Sequence, residues 1–314
     1  IWGGALGTLT MTFEQATQKN IYTLCLEGLT YAVHIASHCF IDDALDTLVD
    51  SFAKFTNLRK NFSEVQQKNL DCTNSLLDLA ISDGNFLRNA WPIVLGEVSA
   101  IDKLAQSNQR VSRPFPQADD LFSTASQKLD RESILDFVQA MCDVSKQELN
   151  ENPPRNSTCQ KLVIVAHYNV QREHFIWVKM WNIIGNYLKY IGSTTNSFDV
   201  ATIVIDILKQ LAMKFIEQKE LVEYHFQELF MSPFNDIFDS QQDINIKLLI
   251  LICLQQLIER NGNMLQSGWT TIFSILSTAS LIPETQKSCF GTVTYLVDRL
   301  LPVISIHYVH LITI

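Results

Sequence analysis

Hydrophobic residues recur at helical spacing along almost the entire chain. In the stretch 200–215, for example, Val200, Val204, Leu208, Leu211 and Phe215 fall on one face of a helix. No segment keeps the alternation of polar and apolar residues that marks a half-buried strand. The pattern therefore predicts an all-α protein of roughly a dozen antiparallel helices.

Helix pairs recur about every 40 to 45 residues without a strict sequence repeat, a period typical of HEAT and armadillo proteins. In such proteins each pair buries its apolar faces only against its neighbours. We therefore expect a right-handed superhelical stack of antiparallel helix pairs, with a closed helical bundle as the alternative fold.

Two segments break the helical pattern, 106–127 with its Arg-Pro-Phe-Pro at 113–116, and 150–158 with two adjacent prolines. We expect a helical connector with the first helix pairs over residues 1–105, a mobile loop over 106–130 and the main helical-repeat region over 131–314, all as one continuous solenoid. The chain begins at Ile1 and ends in an apolar tail over 306–314, which suggests a segment of a longer protein.

Composition and charge limit the kinds of ligand that the chain is expected to bind. With 47% apolar and 18% charged residues the chain can bury a large core. The net charge is −9, and residues 1–152 carry 20 acidic against 12 basic side chains. Nucleic acids and anionic lipids are bound by clustered lysine and arginine, so neither is an expected direct ligand. The longest apolar run, 248–254, is far shorter than the roughly 20 residues of a membrane span.

The seven cysteines are odd in number and widely spaced, and no two of them form a C-x-x-C motif. This usage predicts reduced thiols in the core of a cytosolic protein.

The stretch 165–181 reads VAHYNVQREHFIWVKMW and concentrates polar and aromatic residues. If residues 162–191 form one helix, Asn169 and Glu173 lie in the middle of its apolar stripe, which Trp177 widens. A buried Asn or Glu without a hydrogen-bond partner costs about 1 to 3 kcal/mol. We therefore interpret these residues as a structural polar cluster with Arg172 as a natural partner, and not as an active site.

Other candidate chemistry is weaker. His34 and His38 have the i, i+4 spacing of zinc ligands, but no third ligand lies at a recognisable spacing and the glutamate of H-E-x-x-H is missing. His307 and His310 share this weakness. Phosphate-loop, dinucleotide and nucleophile-elbow motifs are absent from the sequence. The residues thus predict no catalytic, cofactor or metal site, and they favour a helical interaction module.

Many ordered motifs resemble one family. They include LCLEG at 24–28, FAKFT at 52–56, DGNFLRNAW at 83–91, FVQAMCDVSKQEL at 137–149, AHYNVQREHFIW at 166–177, LKQLAMKF at 208–215, FQELFMSPF at 226–234 and SGWTTIF at 267–273. Together they are similar to the large Arf guanine-nucleotide exchange factors of the trans-Golgi, the brefeldin A-inhibited or Sec-seven type, in the first homology region downstream of the catalytic domain. His174 departs from the family pattern, which has an arginine there.

This resemblance implies a non-catalytic regulatory domain in Golgi vesicle traffic. Such a domain would bind membrane-anchored Arf-GTP for recruitment and positive feedback, and would restrain the catalytic domain of its own chain otherwise. It further implies a cytoplasmic protein that is recruited peripherally to the trans-Golgi network and that forms a homodimer through the full-length chain. A purely structural scaffold or dimerisation module is the alternative.

The motifs also nominate residues with a structural or interaction role. These are Asn169, Arg172, Trp177, Phe226, Gln227, Pro233, Phe234, Ser267, Gly268 and Trp269.

Overall fold

A computed structural model describes residues 2–59, 65–107, 115–217 and 226–300. Within these ranges the chain is helical and contains no strand, which confirms the all-α class. None of the helices described there is long and apolar enough to cross a bilayer. The tail over 306–314, with His307 and His310, lies outside the described residues.

The helices are α1 (Trp2–Gln15), α2 (Lys19–His38), α3 (Asp42–Thr56), α4 (Gln67–Ser82), α5 (Trp91–Ser107), α6 (Pro116–Asp120), α7 (Ser126–Lys128), α8 (Ser133–Leu149), α9 (Ser157–Tyr168), α10 (His174–Thr194), α11 (Phe198–Ile216), α12 (Phe226–Ser240), α13 (Ile244–Asn261), α14 (Gly268–Ser280) and α15 (Pro283–Tyr295). Single 3₁₀ turns lie at Gly84–Phe86, Arg88–Ala90 and Gly262–Met264, and π-helical turns at Leu121–Ala125 and Leu296–Leu300.

The chain forms two compact units, Ile1–Met180 and Trp181–Ile314, which divide inside α10. In the first unit α2 packs on α1 and α3, α4 on α3, α9 on α8, and α5 on α8. In the second unit α11 packs on α13, α12 on α14 and α13 on α15. Each of these helices thus packs on the helix two places further along the chain. This is the stacking of helix pairs that the repeat spacing predicted. The fully buried aromatic residues include Phe52, Trp91 and Phe137 in the first unit and Phe230, Phe234 and Trp269 in the second.

All seven cysteines lie in the described ranges, and none of them forms a disulfide. Six of them are buried, as expected of core thiols, and Cys39 is exposed.

The prediction of a mobile loop over 106–130 is wrong for its second part. Residues 108–114 lie outside the described residues, but α6, a π-helical turn and α7 follow from Pro116 to Lys128. Pro116 occupies the first helical turn, where its missing N–H costs nothing. Phe115, Leu121 and Phe122 are buried, so this segment belongs to the core of the first unit.

The prediction of one continuous helix over 162–191 is also wrong. Helix α9 ends at Tyr168, and α10 begins at His174. Asn169 is buried as predicted, but it follows the last residue of α9, and its N–H donates to the carbonyl of Val165. Glu173 is exposed and pairs with Arg131, so its expected place in the core is not observed.

Gly192 marks a close approach between helices of the second unit. A Cβ atom added there would lie 2.5 Å from Cδ1 and 3.0 Å from Cγ1 of Ile237, and 3.3 Å from Cγ1 of Val204. At Gly291, in the middle of α15, an added Cβ would meet nothing within 4 Å.

These two glycines allow a matched test of the packing. Gly192→Ala is expected to lower the melting temperature, because overpacking costs about 1 to 3 kcal/mol. Gly291→Ala is expected to raise it, since alanine is up to about 1 kcal/mol better than glycine in an open helix interior. Thermal unfolding of both variants measures the difference, and a stabilised Gly192→Ala would contradict the close packing of α10 with α11 and α12.

Candidate functional site

Asn169 and Arg172 join the α9–α10 junction to the end of α7. The Arg172 Nε donates to Asn169 Oδ1 over 2.6 Å, and the Asn169 amide donates to Ser126 Oγ over 2.9 Å. The Arg172 Nη2 donates to the carbonyls of Ser126, Gln127 and Leu129 over 2.8, 3.1 and 2.8 Å. One side chain thus serves three backbone acceptors where α7 ends.

Helix geometry explains why a guanidinium is placed there. The last carbonyls of a helix lack intrahelical partners and carry partial negative charge. Arginine supplies five donors in a planar fork and remains protonated in proteins. Burial lowers the pKa of Arg172 from its ordinary value, and nearby Asp130 opposes that shift. The hydrogen bonds of the cluster all go to groups within the fold, and buried Trp177 in the first turn of α10 belongs to the core beside it.

Removing this cluster is expected to destabilise the first unit. Arg172→Ala and Asn169→Leu should each cost about 1 to 3 kcal/mol, because each leaves buried hydrogen-bonding groups without a partner. Arg131→Ala is the matched control, since the Arg131–Glu173 pair is exposed on both sides and such pairs contribute about 0 to 1 kcal/mol. Urea unfolding measures all three variants. Equal losses for Arg172→Ala and Arg131→Ala would contradict the structural assignment.

A second cluster joins α12 to the start of α14. The Gln227 amide donates to the Met264 carbonyl over 2.9 Å, and its oxygen accepts from the Gln266 N–H over 2.6 Å. Ser267 Oγ accepts from the backbone N–H of Glu228, one of the free donors at the start of α12, over 3.1 Å. Hydrogen bonds therefore join the FQ motif at the start of α12 to the segment that contains the SGW motif at 267–269.

Gly268 permits this arrangement. An added Cβ would lie 3.1 Å from Cδ2 of Leu265 and 3.4 Å from Cβ of Gln227. The next residue, Trp269, is buried and stacks on Phe273 at 5.6 Å.

Pro233 lies inside α12 and has no N–H to donate to the carbonyl of Leu229 four residues earlier. The indole N–H of Trp181 donates to that carbonyl over 3.1 Å, and Ser232 Oγ donates to it over 3.0 Å. The backbone group freed by the proline is thereby satisfied. Phe226 packs edge-to-face on Phe230, and Phe234 is fully buried. All ten residues nominated from the motifs thus take part in helix packing or in helix ends.

Glu148 is a structural residue that was not nominated from the sequence. Its carboxylate accepts from the N–H and hydroxyl of Thr158 over 2.8 and 3.0 Å, at the start of α9, and from Ser99 Oγ over 2.5 Å. Negative charge at a helix N-terminus is stabilising. The only sequence signal was the EL that closes the motif at 137–149.

Arg155 and Glu151 extend this network along a groove between α3, α5 and α8. The Arg155 guanidinium donates to both carboxylate oxygens of Glu151 over 2.9 and 3.0 Å, and Lys103 pairs with the same group over 2.9 Å. Arg155 is the main cause that lowers the pKa of Glu151 to about 2, and Lys103 adds to it. Arg59 and buried Glu97 pair in the same groove over 2.6 Å. These charges serve the fold by pairing with each other.

The Glu151 pair predicts a pH dependence. A carboxylate whose pKa falls on folding stabilises the fold above its unfolded pKa near 4.5, and that contribution disappears as the pH falls toward 2. Glu151→Gln should therefore lower stability at pH 7 by about 1 kcal/mol or less, since solvent screens this partly exposed pair. The difference from the parent should shrink below pH 4.5 in urea unfolding. Glu27→Gln removes an exposed carboxylate of α2 and is the control, which should lower stability at pH 7 by less than Glu151→Gln.

Helix α2 presents apolar side chains to solvent. Leu24 and Tyr31 are 68% and 67% exposed, and Ile35 is about half exposed. They lie on the face opposite the buried Leu29 and Val33. We call Leu24, Tyr31 and Ile35 the α2 outer face. Apolar side chains grouped on an exposed helix face are typical of surfaces that bind other proteins.

His34 and His38 also project from α2, and both are about half exposed. Asp83 lies beside them at the end of α4, although its distance along the sequence matches no recognisable ligand spacing. His34 Nδ1 is 3.0 Å and His38 Nε2 is 3.3 Å from Asp83 Oδ1.

Comparisons with known proteins agree with the sequence motifs. The family model described as Mon2/Sec7/BIG1-like, HDS matches residues 214–293. The chain is 29% identical to Brefeldin A-inhibited guanine nucleotide-exchange protein 4 of Arabidopsis thaliana, covering 89% of this chain and 21% of that protein. It is 28% identical to Brefeldin A-inhibited guanine nucleotide-exchange protein 1 of Homo sapiens, covering 89% and 18%. The chain thus spans about a fifth of the length of these relatives.

An engineered protein of known structure covers 94% of this chain at 13% identity, with a TM-score of 0.26. This likeness is too weak to indicate a shared arrangement.

The stacked helix pairs and the buried motif clusters define a helical-repeat region whose motifs maintain its packing. Over 89% of its length the chain is similar to the brefeldin A-inhibited guanine nucleotide-exchange proteins, and residues 214–293 match the HDS region that such proteins share with Mon2 and Sec7.

Proposed function

We propose that this chain is a non-catalytic regulatory domain that binds membrane-anchored Arf in its GTP form. Binding would recruit the exchange factor to trans-Golgi membranes and raise its activity in positive feedback. Without Arf-GTP, the domain would restrain the catalytic domain of its own chain. The match to the HDS region carries the proposal, because that region lies outside the catalytic Sec7 domain of these exchange factors.

The contacts of the motif residues suggest where Arf would bind. Asn169, Arg172 and Gln227 have their hydrogen bonds inside the fold, and Trp269 is buried in the core. A protein partner is recognised through exposed groups, so the binding residues would lie outside these clusters. The α2 outer face offers three exposed apolar side chains on one helix. Aromatic and other apolar residues that become fully buried are typical of the centre of an interface.

Sensitivity to the nucleotide follows from the physics of GTPases. Their switch segments are ordered by contacts to the γ-phosphate and are released on hydrolysis. A domain that needs an ordered switch surface therefore binds the GTP form with higher affinity. A domain with equal affinity for the GDP and GTP forms would not respond to the nucleotide that Arf carries.

Charge favours membrane attachment through a protein. The chain carries a net charge of −9, and anionic lipids attract basic segments. We therefore propose a cytoplasmic domain that reaches trans-Golgi membranes through Arf. The homodimer of the full-length exchange factor is part of the same proposal.

Liposome flotation tests the recruitment. The chain should float weakly with bare liposomes and with anchored Arf-GDP, and at least tenfold better with anchored Arf-GTP, a difference of about 1.4 kcal/mol. Equal recovery with bare liposomes, with Arf-GDP and with Arf-GTP would contradict the recruitment proposal and favour the structural scaffold.

Two matched variants test the surface. Leu24→Asp places a charge in the α2 outer face and should abolish most of the Arf-GTP-dependent recovery. Leu281→Asp makes the same change at a leucine that is 79% exposed in the second unit, and it should bind like the parent. Both variants should melt like the parent because both side chains are exposed. Normal recruitment of Leu24→Asp would show that Arf binds elsewhere.

The alternative is a scaffold that pairs two copies of the chain through the same apolar face. In that case Leu24→Asp would convert a dimer into a monomer in sedimentation equilibrium without any dependence on Arf.

A further inference from the structure

We propose that His34, His38 and Asp83 form a binding site for a divalent transition-metal ion, with Zn²⁺ as the best fit. The two histidines lie one turn apart on α2, and Asp83 follows α4 some 45 residues later in the chain. All three ligand atoms lie within 4.8 Å of one another. The proposal is independent of Arf binding.

The distances suit tetrahedral coordination. With Zn–N and Zn–O bonds of about 2.0 to 2.1 Å, neighbouring ligand atoms of a tetrahedron are separated by about 3.3 Å. One oxygen of Asp83 lies 3.0 Å from His34 Nδ1 and 3.3 Å from His38 Nε2. Two edges of the coordination polyhedron are therefore present already, and rotation of the exposed histidine side chains can adjust the third.

The supporting residues hold the ligands in place. Asp83 is buried, and its N–H donates to the Leu79 carbonyl, which fixes it at the end of α4. The ring of His38 packs on the ring of Phe86 at 4.2 Å. The Ser37 hydroxyl donates to the carbonyl of His34, in the same turn of α2. The aspartate is thus fixed by the core, while both imidazoles remain reachable from solvent.

The donor set selects the class of metal. Imidazole nitrogens suit Zn²⁺, Cu²⁺ and Ni²⁺, whereas Mg²⁺ and Ca²⁺ prefer oxygen ligands. The carboxylate of Asp83 would neutralise part of the positive charge of the bound ion. Three protein ligands leave a fourth position for water, as in open zinc sites. A bound ion would join α2 to the end of α4.

Isothermal titration calorimetry with Zn²⁺ alone, on the full chain after removal of metal by a chelator, tests the site. We expect one saturable ion per chain and a higher melting temperature with Zn²⁺ than without. His38→Ala and Asp83→Asn should each weaken binding at least tenfold. Circular dichroism without metal should show both variants folded. Absence of saturable binding by the parent, or parent-like binding by both variants, would overturn the proposal.

Two further variants exclude binding elsewhere. His167→Ala removes an exposed histidine of α9, and Cys39→Ser removes the exposed thiol next to His38. Both should bind Zn²⁺ like the parent. Loss of binding in either variant to the extent seen in His38→Ala would overturn the assignment of ligands. Substitution with Co²⁺ should give the intense visible absorption of tetrahedral coordination, and a spectrum of weak octahedral bands would contradict this geometry.

Discussion

The ends of the helices are the constraint on which this structure depends. Each helix leaves backbone donors and acceptors without intrahelical partners, and inside a stack of helix pairs water does not reach all of them. Side chains from neighbouring segments supply the missing partners. Arg172 serves the carbonyls at the end of α7, Glu148 the start of α9, and Ser267 the start of α12. Trp181 does the same for the carbonyl freed by Pro233.

This constraint explains why the recognisable motifs are internal. A side chain that must donate at a defined distance to a defined backbone atom cannot be exchanged freely, and Gly268 cannot gain a Cβ without crowding Leu265 and Gln227. The exposed α2 outer face carries no such requirement. The residues that identify the family are therefore those that hold the helices together, and the proposed recognition of Arf rests on different residues of the same fold.

Local patterns in the sequence predicted the helices well and the contacts between distant segments poorly. The apolar period of 200–215 corresponds closely to α11, and Pro283 begins α15 as a first-turn proline. The prediction of one helix over 162–191 was wrong because the helical spacing of apolar residues continues across the break after Tyr168. The same spacing placed Glu173 in the core. Asp83 was missed as a partner of His34 because nothing local links positions 49 residues apart.

Helix α2 shows how the fold and the two proposals meet in one element. One side of the helix is buried along its length, and Leu9 of α1 approaches Gly28 to within 3.1 Å of where a Cβ would lie. A helix held in this way presents its outer face in a fixed orientation, so a partner would not have to order it on binding. A metal ion bound by His34, His38 and Asp83 would fix the C-terminal end of α2 further, next to Ile35. Metal binding would then improve preorganisation of the outer face without touching a residue of that face.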